Sequence, residues 1–321
     1  MTPPELAISI VVPVYNEAEN LPELHRQLTR VLGELGRPYE IILVDDGSRD
    51  GSRDILRSLA AEDEQVRAVL FRRNFGQTAA MQAGFDLARG AVIFPLDADL
   101  QNDPIDIPRL LDKLEREDWD IVSGWRANRQ EGQLRRFPSR VANRLIVKVT
   151  GVDIHDTGCT LKAYRRETLE HVRLYGQLHR FIPALASAYG ARITELAVTH
   201  HPRRFGQSKY GLGRTTKVIL DLILVKFLLV SLARPIHAVG RWALLSFALA
   251  VLCALVSLST RLVGGPAGHW ILAALALAVL GAQLLGTGIV AELLTRVYHE
   301  AIPRRTYVIA EELGGPAPVK E

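Results

Sequence analysis

Ala91-Val-Ile-Phe-Pro-Leu-Asp-Ala-Asp-Leu-Gln101 is an apolar run that ends abruptly in acid. Read as a strand continuing through its acidic end, it puts Asp97 and Asp99 on one face, because side chains two apart share a side of the pleat. Gln101 extends the alternation and adds a neutral oxygen. Two carboxylates at the carboxyl end of a buried strand suit a hard divalent cation, and a cation there can hold a diphosphate. An isolated Asp-x-Asp reads more readily as an acidic turn after a strand. The weight therefore rests on its surroundings.

Upstream, Ile8 to Tyr15, Tyr39 to Val44 and Val66 to Phe71 are short β-branched runs that read as buried strands. Helical patterns separate them, one ending near Leu35 and one running from about Ser52 to Ala61. Asn74-Phe-Gly-Gln-Thr-Ala-Ala-Met-Gln-Ala-Gly84 reads as a loop opening a closely packed helix of small residues. Downstream, Pro104 to Glu117 reads as a helix and Trp119 to Trp125 as a strand. Strands alternating with helices predict an α/β fold, a Rossmann-like, mostly parallel sheet with helices on both faces. In such sheets ligands sit beyond the carboxyl ends of the strands. Three polar clusters occupy three such ends: Tyr15 to Glu17, Asp45-Asp46, and Asp97 to Gln101. A random acidic turn would not need that placement three times.

The chain has 321 residues, enough for one large domain with an appendage or for two domains. Its 48% apolar content beside 23% charged residues points to segregation along the chain. A net charge of +4 is too small to argue for nucleic acid as a partner. Two cysteines, Cys159 and Cys253, make neither a disulfide framework nor a zinc site by themselves. No basic stretch precedes the first apolar run, so Ile8 to Val14 reads as a strand and not as a signal peptide. His200 and His201 have no partner histidine at helical spacing and read as non-metal.

The second half changes character. Residues 126–150 are basic, with Arg126, Arg129, Arg135, Arg136, Arg140, Arg144 and Lys148. They read either as a solvated face or as a surface towards phosphate or anionic lipid. Asp156-Thr-Gly-Cys-Thr-Leu-Lys-Ala-Tyr-Arg165 follows, then Arg203-Arg-Phe-Gly-Gln-Ser-Lys-Tyr210. Arg203, Ser208 and Lys209 around a glycine form a cationic loop suited to phosphate oxygens, or else a juxtamembrane basic patch. Thr215 to Ala233 is apolar but carries Lys217, Asp221 and Lys226, which suits a helix lying in a membrane interface. Trp242 to Thr260 and Trp270 to Ala291 are long apolar runs around a Gly/Pro turn, a membrane hairpin in preference to a core helix pair. Arg234 and Arg241 precede the pair and Arg296, Arg304 and Arg305 follow it, while the turn holds only Arg261. The positive-inside rule then puts both ends and the sheet domain in the cytoplasm, at the inner or plasma membrane. The expected division is a catalytic domain over 1–213, an interfacial helix over 214–235, a two-span hairpin over 236–300 and a cytoplasmic tail over 301–321, loose from Glu311.

With these segments in view, the chain resembles family 2 glycosyltransferases of the GT-A fold, in the polyprenyl-phosphate branch. Val12-Pro-Val-Tyr-Asn-Glu17, Val44-Asp-Asp-Gly-Ser48, Asn74-Phe-Gly-Gln77, Leu96-Asp-Ala-Asp-Leu-Gln101, Asp156-Thr-Gly-Cys159 and Arg203-Arg-Phe-Gly-Gln-Ser-Lys209 carry the resemblance. It implies transfer of a sugar from a nucleotide-sugar donor to undecaprenyl or another polyprenyl phosphate, with inversion. UDP-glucose or another UDP-sugar is the expected donor, with a UDP-aminoarabinose type or GDP-mannose as alternatives. Pro13, Tyr15, Glu17, Asp46 and Asp97 would line the nucleotide pocket. Asp97, Asp99 and Gln101 would hold Mg²⁺ or Mn²⁺. Arg203, Ser208 and Lys209 would close over the phosphates. Asp156 would sit near the sugar, orienting first and acting as a base second. By family analogy membrane lipids and a homo-oligomer, a tetramer, are implied. A processive polysaccharide synthase and a non-enzymatic nucleotide-sugar sensor are the competing readings. Against the first, Gln133-Leu-Arg-Arg-Phe137 lies before Asp156 and ends in Phe where that class carries Trp. Against the second, sensing does not require both the Asp-x-Asp and the cationic loop.

Overall fold

A computed structural model of the protein describes residues 6–127, 151–174, 176, 178–202, 235–300 and 306–315. Arg203, Ser208, Lys209, the basic positions from Arg129 to Lys148 and the expected interfacial helix over 214–234 lie outside these residues.

The β-branched runs become a sheet because each can bury both faces. β1 (Ile8–Val14), β2 (Tyr39–Asp45), β3 (Val66–Phe71), β4 (Val92–Pro95) and β5 (Ile121–Trp125) run parallel to one another. β6 (Lys162–Arg165) and β7 (Ile193–Ala197) extend one side, and β8 (Ile309–Gly314) closes the other. The order is β7-β5-β6-β4-β1-β2-β3-β8, with β6 and β8 antiparallel to their neighbours. The chain winds outward from β1 through β2 to β3, then returns to place β4 on the other flank of β1. That reversal opens a crevice at the carboxyl ends of β1 and β4.

The helices supply the covering layers. α1 (Leu21–Leu35) buries Leu21, Leu24, Leu28, Val31 and Leu32 at three- and four-residue spacing and stops at Gly36, which takes the left-handed conformation of a helix cap. α2 (Ser52–Glu62) and α4 (Ile107–Arg116) bury Leu56 and Ile107, Leu110, Leu111 and Leu114 respectively. α3 (Gln77–Leu87) differs, being buried continuously from Thr78 to Phe85. Its small residues allow close approach: a Cβ on Gly84 would lie 2.1 Å from Val11 Cγ1 of β1. Short helices α5 (Arg166–Glu170) and α6 (Ile182–Ser187) complete this unit.

A second unit, Lys226–Arg304, holds α7 (Pro235–Leu262) and α8 (Gly268–Glu300). The two pack against each other: Ser246 Oγ donates to Leu277 O at 2.7 Å, and the Phe247 ring lies against Gly281. Within them, Gly240–Leu262 and Gly268–Ala291 are long and apolar enough to cross a membrane, at about 1.5 Å per residue. Leu244, Leu252, Leu272 and Val279 are all more than half exposed. Apolar surface on that scale calls for lipid or a partner.

Two expectations need correction. Strand β4 ends at Pro95, so Asp97, Asp99 and Gln101 do not share a pleated face. They lie along the turn after β4, in which Leu100 has φ 58°. The described start of the stretch expected to be loose is not: Ile309–Gly314 hydrogen-bonds to β3, and Arg57 pairs with Glu311 at 2.8 Å. Its Glu-Glu-Leu-Gly sequence hides the strand, because an edge strand needs only alternate residues buried.

Candidate active site

The turn after β4 gathers the acids. Gln101 N donates to Asp99 Oδ1 at 3.2 Å, closing a small loop around Leu100. The Leu100 side chain is buried in the core, which offsets its left-handed backbone. Such outliers cluster at functional sites. Asp97 Oδ1 accepts from Gln77 Nε2 at 2.8 Å and Oδ2 from Thr160 Oγ1 at 2.5 Å. Burial, and then the neighbouring Asp99, raise the Asp97 carboxyl to about 6. Thr160, Arg126 and Lys162 pull the other way. Two carboxylates that repel in a desolvated turn are what a divalent cation relieves. The donors are all oxygen, the chemistry of Mg²⁺ or Mn²⁺. Among the described residues no cluster of three or more Asp, Glu, His or Cys forms. Asp97 and Asp99 are the carboxylates that could hold such an ion, and Mg²⁺ sites commonly draw their other oxygens from phosphate and water.

The ends of β1 and β2 build the adjoining wall. Pro13, Tyr15 and Glu17 are half-buried there. Asn16 N donates to Ser48 Oγ at 2.9 Å and Glu17 N to Ser52 Oγ at 3.1 Å. Asp46 turns towards the loop before α3, accepting from Phe75 N at 2.6 Å and Gly76 N at 2.9 Å. Burial raises its carboxyl despite those bonds. The Asp46-Gly47 turn also needs its glycine: φ is 76°, and a Cβ would lie 2.5 Å from Asn74 N. Asp46 therefore orders the loop that delivers Gln77 to Asp97, a connection invisible in the sequence.

Asp156 lies in a buried ion pair. Arg126 Nε donates to Oδ2 at 2.6 Å and Nη2 to Oδ1 at 2.9 Å, with Gly158 N adding a bond at 3.1 Å. Both side chains are about one-tenth exposed (11% and 12%). Burial alone would lower the Arg126 pKa, but the bonds to Asp156 outweigh it and raise it. Beneath this loop the Lys162 ammonium, itself buried, donates to Thr157 O at 3.4 Å and to Cys159 O. Burial lowers its pKa and lifts the Cys159 thiol to about 11. One cation thus holds the loop that carries both Asp156 and Thr160.

The acids Asp97, Asp99, Asp46 and Asp156 come to one edge, and Gln101 follows directly. The Gln101 carbonyl accepts from His201 N at 2.8 Å, so the chain returns to the site two residues before Arg203. His201 Nε2 meets Asp103 at 2.9 Å. Four residues of the site were quoted in the sequence reading without a role there. Gln77 closes the Asn74–Gln77 motif and Thr160 lies in the stretch from Asp156, neither with an ionisable group to mark it. Arg126 hides at the head of a run of surface-like arginines, and Lys162 in a strand.

Comparison with known proteins fits this geometry. Residues 9–173 match the Glycosyl transferase family 2 domain. The dodecaprenyl-phosphate galacturonate synthase of Rhizobium johnstonii is 42% identical over 95% of this chain and 93% of its own length. The chain belongs to glycosyltransferase family 2. The undecaprenyl-phosphate 4-deoxy-4-formamido-L-arabinose transferase of Serratia proteamaculans is also similar, 41% identical over 96% of this chain and 94% of that one. Both are polyprenyl-phosphate sugar transferases, so this family 2 glycosyltransferase groups with that type. Solved structures share the fold at low identity. Glucosyl-3-phosphoglycerate synthase from Mycobacterium tuberculosis, in complex with Mn²⁺, UDP and phosphoglyceric acid, superposes with TM-score 0.54 at 18% identity, over 69% of this chain and 78% of that one. Another structure of that enzyme holds Mg²⁺ and UDP (TM-score 0.53, 18% identity, 69% and 79% covered).

Proposed function

We infer that this glycosyltransferase transfers one sugar from a nucleotide-diphosphate sugar to a polyprenyl phosphate. The observation that carries this is the meeting, at one sheet edge, of the paired acids Asp97 and Asp99 with the Arg126–Asp156 pair. A divalent cation on Asp97 and Asp99 would neutralise charge on the leaving diphosphate. The chain's own residues do the rest. Gln77 and Thr160 fix Asp97 in one orientation. Arg126 presents a buried cation beside the acids, suited to an anionic acceptor. Asp156, with both oxygens engaged by Arg126, orients that guanidinium and is a poor base.

No strong base is needed. A phosphate oxygen of the acceptor is already anionic. It forms a bond to the anomeric carbon as the bond from that carbon to the diphosphate breaks, and the nucleoside diphosphate leaves with the electron pair. One displacement inverts the anomeric centre. Pro13, Tyr15, Glu17 and Asp46 would frame the nucleotide, and Arg203, Ser208 and Lys209 would reach the phosphates.

A polyprenyl acceptor places the work at a membrane. The two apolar helices would anchor the enzyme in the inner or plasma membrane. The chain leaves the sheet unit before these helices and rejoins the same unit at β8. An even number of crossings, with both ends cytoplasmic, suits that return.

The test is a donor screen with the full chain in detergent, undecaprenyl phosphate and Mg²⁺, reading lipid-linked product by mass. UDP-glucose, UDP-galacturonate, a UDP-4-formamido-arabinose and GDP-mannose are the donors to compare. The two relatives' names give the acidic and formamido sugars equal standing with glucose. Product with one donor, lost on chelation and in Asp99→Ala, supports the reading. Absence of product with every donor from a folded protein overturns it.

A further inference from the structure

The segment that follows the apolar helices in the chain is built into the donor side of the site. Tyr307 is 4% exposed. Its ring stacks on Phe71, the last residue of β3, with centroids 5.1 Å apart and planes 13° from parallel. Its hydroxyl donates to Asp86 Oδ2 on α3 at 2.9 Å. The next residue, Val308, accepts through its carbonyl from Arg72 N at 3.1 Å. These three contacts grip both ends of one stretch of chain. That stretch begins at Phe71, passes through the loop held by Asp46 at Phe75 and Gly76, and continues into α3. It delivers Gln77 to Asp97. The Phe75 ring meets Phe71 edge-on at 5.7 Å, so the aromatic contact continues into the loop. Asp86 also accepts from Gln82 Nε2 at 2.7 Å, and Gln82 Oε1 in turn accepts from Leu174 N at 2.7 Å. The same side chain therefore ties α3 to the segment running towards His179 and Thr78.

We propose that the segment from Tyr307 into β8 is a positioning strap for the nucleotide and metal side of the site, with Tyr307 as its positioning residue. The strap rests on the functional reading above, because what it positions is the loop and helix that orient Asp97. Tyr307 acts in two ways. Its ring sets where β3 ends, and hence where the Asp46-bound loop starts. Its hydroxyl sets how far α3 sits from that strand. Glu311 lies within β8 and serves as the contrast through its side chain, which pairs with Arg57 on α2 and makes none of the side-chain bonds to Phe71, the loop or α3 described above.

The test is calorimetric binding of UDP, and of GDP, to the full chain in detergent with and without Mn²⁺, alongside thermal unfolding midpoints. The proteins are wild type, Tyr307→Phe, Tyr307→Ala, Asp86→Asn, the Tyr307→Phe/Asp86→Asn pair and Glu311→Gln. Residues that act on a site through a packed network shift its coupling by roughly 2- to 30-fold, which is the loss in affinity expected for Tyr307→Ala. Tyr307→Phe keeps the stack and should lose less. The double variant should be no weaker than the worse of its two single variants, since Tyr307→Phe removes and Asp86→Asn weakens the same bond. Glu311→Gln should bind as wild type does, whatever its midpoint. Equal Mn²⁺-dependent affinity in wild type and Tyr307→Ala overturns the strap alone, as does an equal loss in Glu311→Gln. Failure of the wild-type chain to bind either nucleotide with Mn²⁺ overturns the functional reading and the strap with it.

Discussion

Asp156→Asn separates what the Arg126–Asp156 pair does for the fold from what it does for the reaction. The pair has two charge-assisted hydrogen bonds, at 2.6 and 2.9 Å, between side chains only 11% and 12% exposed. Removing one partner leaves a guanidinium buried without its counter-charge, which costs about 3–5 kcal/mol. For a unit of this size that lowers an unfolding midpoint by roughly 2–4 °C per kcal/mol, about 6–20 °C in all. Arg126→Met alone should cost a similar amount, by stranding the carboxylate. A double variant with apolar residues at both positions, Asp156→Leu/Arg126→Met, removes both charges and should recover most of the stability, because an apolar replacement of a whole buried pair is often neutral. Activity should follow another pattern. If Asp156 orients Arg126 towards an anionic acceptor, the double variant stays inactive although its fold is restored. The assays are thermal unfolding in detergent and lipid-linked product by mass, on all four proteins. Full turnover in Asp156→Asn, or activity that returns with stability in the double variant, would refute the reasoning.

Two pH dependences of opposite sign follow from the same region. The Asp97 carboxyl titrates at about 6 when folded against 3.8 unfolded, so its stabilising contribution is complete below 3.8 and fades as pH rises through 6. In metal-free protein Asp97→Asn should remove about 3 kcal/mol of that slope, and Mn²⁺ should stabilise wild type at pH 7.5 but not the variant. His179, enclosed beside Thr78, has its pKa lowered from 6.5 to about 3 by burial, then by Arg180 and Lys162. Its neutral form is fully favoured above 6.5 and the fold loses stability as pH falls towards 3, so His179→Gln should flatten acid unfolding across that window by about 5 kcal/mol. Gly84→Val would push a side chain into Val11. It should lower the unfolding midpoint by at least the equivalent of about 1–3 kcal/mol, and a midpoint equal to wild type would show that α3 and β1 do not pack this closely.

Much of the α/β half was legible because its signals are local. Ile8–Val14, Tyr39–Asp45 and Val66–Phe71 are strands since short β-branched runs can bury both faces. The strands β6, β7 and β8 escaped notice because Lys162–Arg165, Ile193–Ala197 and Ile309–Gly314 carry charges or alternate weakly, and become strands only by finding a neighbour. The acids of the site announced themselves by charge and spacing, whereas Gln77, Thr160 and Arg126 acquire meaning only from what they touch.

By itself, then, the sequence determined the secondary elements of the parallel core, the two long apolar helices and the identity of the acids at the strand ends. Each of these depends on residues within one or two turns of chain. The tertiary structure alone decided that the acids converge through a turn and not along a strand. It also decided that Asp156 is bound to a residue 30 positions away, and that the chain after the apolar helices returns to brace α3. Those are contacts between distant segments, set by the order in which strands pack, and strand order is not written in any local pattern of side chains.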